Sequence, residues 1–169
     1  MATRSAARSL RTLFVAITLV GSLTTGCKKS GSGSDVDPRD QYVGTYDGGA
    51  QGYQSVISLG SIALNPEYGA TTIVVTKGAN ANEIYIEASE QSYKVTAELS
   101  GSSFTVIDKT SGQIFIPPSN TYTGDYKATG VFGVDQATTK KAIAITATTE
   151  TLKDGTSVKK TETYTGTLK

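Results

Sequence analysis

The chain has 169 residues, a formal net charge of +1, one cysteine and no histidine. The absence of histidine excludes Ser-His-Asp and Cys-His catalysis and histidine metal sites, and the near-neutral charge argues against nucleic acid as a partner. We therefore expect a protein that is not an enzyme and that has no cofactor and no metal.

The first 26 residues have the layout of a bacterial export signal. Three arginines lie within the first eleven residues, and an apolar run over residues 13–20 follows. This run is too short to cross a bilayer, which takes about 20 residues. Gly26 precedes Cys27, an arrangement typical of lipoproteins, so we expect cleavage before Cys27 and lipidation of its thiol. The alternative is an ordinary signal peptide with a stray thiol nearby.

Residues 27–40 form the predicted lipidated tether, because they are rich in Gly and Ser and offer almost nothing apolar to bury. Lys28 stands where an Asp would favour retention in the inner membrane. We therefore expect an envelope protein that contacts the membrane through its lipid anchor, at the outer membrane.

Residues 41–169 are the predicted domain, and they are rich in Thr, Val, Ile and Tyr, the residues that favour strands. We expect an all-β antiparallel meander of eight or nine strands, curled into a barrel or half-barrel. Residues 114–116, before Pro117-Pro118, are either a tenth short strand or a loop. The predicted strands begin near Gln41, Gln54, Thr71, Glu83, Tyr93, Ser103, Thr121, Lys141 and Ser157.

Apolar residues can be aligned across successive predicted hairpins, which sets one face of the sheet toward a core. The predicted cross-strand pairs are Val75 with Ile84, Ile73 with Ile86, Ala88 with Tyr93, Ile86 with Val95, Ile84 with Ala97, Leu99 with Phe104, and Ala97 with Val106.

The C-terminal hairpin is predicted from the turn signal Asp154-Gly155. Pairing Lys153 with Thr156 sets Ile145 opposite Tyr164. In this register Lys160 and Glu162 also fall on the apolar face, and we expect them at an open end of the sheet, where water reaches them.

A Gly between two large residues recurs near the start, in the middle and at the end of the domain, around Gly44, Gly124 and Gly166. Such glycines either mark bends in a strongly coiled sheet or make room for a ligand. Their placement also suits pairing of the first and last strands, which would close a barrel. The tyrosines that would surround a ligand are Tyr42, Tyr46, Tyr122, Tyr126 and Tyr164.

The segment Gly44-Thr45-Tyr46 directly after a lipoprotein tether is similar to the Gly-x-Trp element that opens lipocalin barrels, with Tyr46 in place of Trp. The chain thus resembles the small lipocalin-like lipoproteins of Gram-negative bacteria. This resemblance implies an up-and-down β-barrel, often of unassigned function.

Two functions remain open from the sequence. The first is a membrane-anchored barrel that binds a small apolar ligand among the five tyrosines. The second is a structural or protein-interaction module of the envelope with a filled core. The sequence leaves open a hydrolase that uses a pair of carboxylates, but its aspartates are scattered and no spacing singles out a pair.

Two pairs of glycines, Gly48-Gly49 and Gly130 with Gly133, are interpreted as turns and not as phosphate-binding loops.

Overall fold

A computed structural model describes residues 36–169, and nearly all of this part of the chain is β-strand. A short 3-10 helix, Pro38–Gln41, precedes the first strand, and a second, Ser89–Gln91, connects two later strands. The strands are β1 (Gly44–Leu59), β2 (Ile62–Ala63), β3 (Glu67–Lys77), β4 (Glu83–Ala88), β5 (Tyr93–Ser100), β6 (Ser103–Val106), β7 (Ser111–Ile116), β8 (Asn120–Val134), β9 (Lys141–Lys153) and β10 (Thr156–Leu168).

Eight of these strands close into an antiparallel barrel. Their order is β1-β3-β4-β5-β6-β8-β9-β10, and β10 returns to pair with β1. The two remaining strands pair at the margins, β2 with β1 and β7 with β8. The predicted all-β up-and-down barrel is therefore confirmed, as is its closure by the first and last strands.

The first strand is longer than the sequence indicated. No separate strand begins near Gln54, because β1 runs for 16 residues through Gly48 and Gly49. Its register against both neighbours shifts in this region, and Gly49 has a φ of +61°. The predicted turn at these glycines is wrong, since they allow a bulge within one strand.

The pairing of β4 with β5 and of β5 with β6 is as predicted, with Ile86 opposite Val95 and Leu99 opposite Phe104. The pairing of β3 with β4 is wrong by two residues, because Val75 lies opposite Ile86 and not opposite Ile84. A shift of two keeps every side chain on its predicted face.

The C-terminal hairpin has the predicted register, with Lys153 opposite Thr156 and Ile145 opposite Tyr164. Of the two alternatives for residues 114–116, the structure has the strand, as part of β7. Gly130 and Gly133 lie inside β8, so the predicted turn there is wrong. Gly130 has no β-carbon, and the ring of Phe104 packs in the space that one would occupy.

The 3-10 helix Pro38–Gln41 lies across one end of the barrel. We call this end of the barrel the latched end. The Arg39 guanidinium donates to the carbonyl of Gly78 at 3.1 Å and forms an ion pair with Asp37 at 2.7 Å. The Tyr42 hydroxyl donates to the carbonyl of Gly101 at 3.0 Å. These contacts reach two different turns, so the segment spans the mouth of the barrel.

The predicted signal peptide, Cys27 and most of the tether lie outside the described residues. Within residues 36–169, no helix has the length and apolar character that would let it cross a membrane.

Candidate functional site

The five predicted ligand-binding tyrosines occupy three different places. Tyr46, Tyr126 and Tyr164 lie inside the barrel with only 1%, 4% and 1% of their surface exposed. Tyr42 packs against the same core from the latched end. Tyr122 is half-buried on β8 and is not part of this core.

One aromatic group fills the barrel next to the latched end. The ring of Phe132 stacks on Tyr42 with 4.4 Å between centroids, and it lies 6.1 Å from Tyr46 and 5.2 Å from Phe104. The Tyr46 hydroxyl donates to the carbonyl of Tyr42 at 2.8 Å, and burial raises the pKa of Tyr46 to about 12. Two of the predicted tyrosines therefore pack on a phenylalanine of the protein itself.

A second aromatic group fills the barrel farther from the latched end. The ring of Tyr164 lies 4.8 Å from Tyr93 and 5.2 Å from Tyr53, measured between centroids. The Tyr126 hydroxyl is 3.4 Å from that of Tyr93. The ammonium of Lys109 lies 4.4 Å above the Tyr126 ring, a cation–π contact.

Polar side chains form a layer beside this second group, and we call them the polar layer. The Glu162 carboxylate accepts from the Tyr53 hydroxyl at 2.9 Å and from the Lys160 ammonium at 2.8 Å. Ser55 and Thr149 are buried directly opposite Glu162 and Lys160 on the neighbouring strands. The side chains of Lys160 and Glu162 are 24% and 16% exposed, so water reaches this charged pair.

The Tyr164 hydroxyl is the distinctive polar atom at this layer. Within residues 36–169 this hydroxyl makes no hydrogen bond. Every completely buried side-chain nitrogen or oxygen of these residues, by contrast, has a hydrogen-bond partner. The hydroxyl is therefore not completely enclosed, although Tyr164 as a whole is only 1% exposed. Burial, followed by the negative charge of Glu162, raises its pKa above the ordinary value of tyrosine.

The electrostatics keep the surrounding tyrosines neutral. Burial, followed by the charge of Glu162, raises the pKa of Tyr53 to about 12. Burial also raises the pKa values of Tyr93 and Tyr126. These hydroxyls can donate hydrogen bonds at neutral pH, but they are poorly suited to give up protons as acids.

The recurrent glycines make room for protein atoms. A β-carbon on Gly44 would lie 2.5 Å from Cδ1 of Leu168, and one on Gly166 would lie 3.1 Å from Cβ of Tyr46. One on Gly124 would overlap the carbonyl of Glu150. At all three positions the space that a ligand could have used is occupied by a neighbouring strand.

A depression of about 140 Å³ lies on the outer face of β3, β4 and β5. It is lined by Val74, Thr76, Tyr85, Ile86, Glu87 and Lys94.

Several residues of the interior were not among the predicted site residues. Phe132 lies between the glycines that were predicted as a turn, and Tyr53 directly precedes the strand predicted to begin near Gln54, so neither was predicted to face the interior. Tyr93 was placed on the apolar face by its predicted pairing, and the charged residues Lys160 and Glu162 on that same face were the one sequence signal for the polar layer.

Comparison of this chain with known protein families, with curated proteins and with solved structures finds no match.

Proposed function

We propose that this protein is a lipid-anchored, non-enzymatic interaction module of the bacterial envelope, whose barrel is filled by its own side chains. The observation that carries this proposal is the packing of the interior rings, with neighbouring centroids 4.4 to 6.1 Å apart. A barrel of eight strands has room either for packed side chains or for one small ligand. Filling by Tyr46, Phe104, Phe132 and Tyr164 leaves the outer surface for function.

The anchoring part of the proposal is supported by the sequence around Cys27. Two acyl chains suffice for stable attachment, whereas one holds only marginally. The 3-10 helix at the latched end contains the last three residues of the predicted tether, Pro38 to Asp40, so the rest of the tether would hold that end toward the bilayer. The same arrangement supports the proposed kinship with lipocalin-like lipoproteins, in which a barrel follows a lipidated tether.

The anchoring is tested by fractionation of cells that produce the Cys27→Ala variant. We expect the wild-type protein in the membrane fraction and the variant in the soluble fraction. Equal distribution and equal electrophoretic mobility of the two proteins would contradict the anchor.

The filled interior is tested by ligand analysis of the detergent-extracted, full-length protein. We expect native mass spectrometry to give the mass of the lipidated polypeptide alone, and a fluorescent fatty acid to show no displaceable binding. A retained apolar molecule that is lost in Tyr126→Ala, while the fold persists, would establish the ligand-binding function instead.

A second candidate function is favoured by the Tyr164 hydroxyl. This hydroxyl makes no hydrogen bond within residues 36–169 and is influenced by the charge of Glu162, whose side chain is 16% exposed. The polar layer therefore has a free hydroxyl with which to bind one small polar group. In this case native mass spectrometry would detect a small polar adduct, and Tyr164→Phe would remove it. Absence of an adduct in the wild-type protein would exclude this candidate.

A further inference from the structure

We propose that the polar layer binds one resident water molecule, which accepts hydrogen bonds from two buried tyrosine hydroxyls and donates one to the carboxylate of Glu162. This water-binding site goes beyond the proposed function, which concerns the anchor and the outer surface. The bound water would join strands on opposite sides of the barrel.

The first argument is the Tyr164 hydroxyl. Tyr164 is 1% exposed, and within residues 36–169 its hydroxyl makes no hydrogen bond. Burial of a hydroxyl without a partner is unfavourable, because the group gives up its hydrogen bonds to bulk water. Since this hydroxyl is not completely enclosed, the oxygen of a small molecule can lie against it. Tyr164 therefore offers one donor to a bound oxygen.

The second argument is a further unused hydrogen on the pair formed by Tyr93 and Tyr126. Their hydroxyl oxygens lie 3.4 Å apart, and the two residues are 5% and 4% exposed. Each phenol has one hydrogen, and their mutual bond uses only one of the two. No other hydrogen bond involves these hydroxyls within residues 36–169. Because the Tyr93 ring lies 4.8 Å from that of Tyr164 between centroids, both unused hydrogens belong to one aromatic group.

The third argument is an unused acceptor on Glu162. The Tyr53 hydroxyl and the Lys160 ammonium both contact Oε1 of this carboxylate, at 2.9 and 2.8 Å. No hydrogen bond from residues 36–169 reaches Oε2. Burial, followed by the charge of Glu162, raises the pKa of Tyr164, which indicates that this carboxylate lies close to the unused hydroxyl. Oε2 is therefore left to accept from a bound molecule.

The fourth argument is that these unused groups match water. Water accepts two hydrogen bonds and donates up to two, and buried waters typically make about three. A cation would not accept from the two hydroxyls, and an anion would not donate to Glu162. Along the inward side of β10, Lys160 and Glu162 lie between Tyr164 and Val158, which are 1% and 2% exposed. Buried residues thus flank the layer on both sides, so the water would be resident.

The position of this water gives it a structural role. Tyr164 lies on β10 and Tyr93 on β5. In the closed barrel three strands separate β5 from β10 in either direction, so the two lie on opposite sides. Backbone hydrogen bonds join only neighbouring strands. A water bound by both tyrosines would therefore join opposite walls directly.

The test is a crystal structure of the detergent-extracted, full-length protein at a resolution that locates water. We expect one water oxygen within about 3 Å of three atoms: Oη of Tyr164, Oη of Tyr93 or Tyr126, and Oε2 of Glu162. In a crystal of Tyr164→Phe, which retains the ring, this water should be absent. A wild-type crystal without a water at this position would overturn the inference.

Urea unfolding of Tyr164→Phe gives a second readout through its sign. If the bound water is a partner of the hydroxyl, the variant should lower the folding equilibrium constant about fivefold. If the hydroxyl has no partner, its removal should raise that constant, and this result would overturn the inference. The matched control is Tyr85→Phe, because Tyr85 is 41% exposed. It should stay within about twofold of wild type.

The outcomes distinguish this inference from the proposed function. A molecule larger than water at this position, also seen as an adduct in native mass spectrometry, would overturn the resident water and establish the second candidate function. No water in the crystal and no displaceable fatty acid would overturn the inference and leave the filled interaction module. The expected water together with displaceable fatty acid would support the inference and contradict the filled barrel.

Discussion

Truncation of Tyr46 distinguishes a filled barrel from an empty one. The ring is 99% buried, lies against Phe132 and donates a hydrogen bond to the carbonyl of Tyr42. Truncation of a packed aromatic residue to alanine typically costs about 3–5 kcal/mol, because the cavity collapses only partly. We expect Tyr46→Ala to lower the free energy of unfolding by about 4 kcal/mol.

Tyr46→Phe separates the hydrogen bond from the packing. It retains the ring and removes only the bond to Tyr42, so we expect a loss of about 1 kcal/mol. Tyr68 is a matched control because it is 58% exposed on β3, and Tyr68→Ala should change stability by no more than about 0.5 kcal/mol.

The assay is urea unfolding of the three variants and the wild type, followed by far-ultraviolet circular dichroism and analysed for midpoint and slope. A cost for Tyr46→Ala below about 1 kcal/mol, equal to that of Tyr68→Ala, would refute the reasoning. It would mean that the ring stands in open space, as the wall of a ligand pocket would.

Three further predictions follow from the contacts. Gly130→Ala should cost about 1–3 kcal/mol in urea unfolding, because its β-carbon would overlap the Phe104 ring; an unchanged midpoint would contradict this packing. Arg39→Ala should lower the protection of the amides of residues 36–43 against hydrogen exchange, measured relative to the intrinsic exchange rate at the same pH. The same loss of protection should occur in wild type as pH falls below about 4, because the Arg39 hydrogen bond holds the pKa of Asp37 below its ordinary value and this stabilisation exists only while Asp37 is charged. Unaltered exchange in both cases would mean that the latch contributes nothing. Because the pKa values of Tyr46 and Tyr53 are raised to about 12, their stabilising effect is complete below about pH 10 and is lost as pH rises through 12. The tyrosinate absorbance that belongs to Tyr46, taken as the difference between wild type and Tyr46→Phe, should therefore appear together with the loss of circular dichroism. Its appearance while the barrel is still folded would contradict the burial of Tyr46.

Turn length decided how well strand register could be predicted. The two-residue turn Asp154-Gly155 fixes the pairing of β9 with β10, and that prediction is confirmed. The longer connection over residues 78–82 fixes only which face each residue takes. The prediction for β3 and β4 was therefore wrong by two residues, a shift that leaves Ile84 and Ile86 buried.

The interior was predicted only in part, because its members come from strands that are distant along the chain. Tyr46, Tyr126 and Tyr164 were placed on inward faces by alternation. The hydrogen bond from the Tyr53 hydroxyl to Glu162 joins residues 109 positions apart. It depends on the pairing of the first strand with the last.

Local patterns of the sequence determined the strands, the face that each residue presents and the short hairpins, because alternation and turn chemistry act between near neighbours. They also predict the export signal and the lipidation of Cys27. Tertiary structure alone decided that the 3-10 helix closes one end, that β1 continues through its glycines, and that β7 pairs with β8 alone among the strands of residues 36–169. These outcomes depend on closure of the barrel, which brings together residues that no local pattern connects.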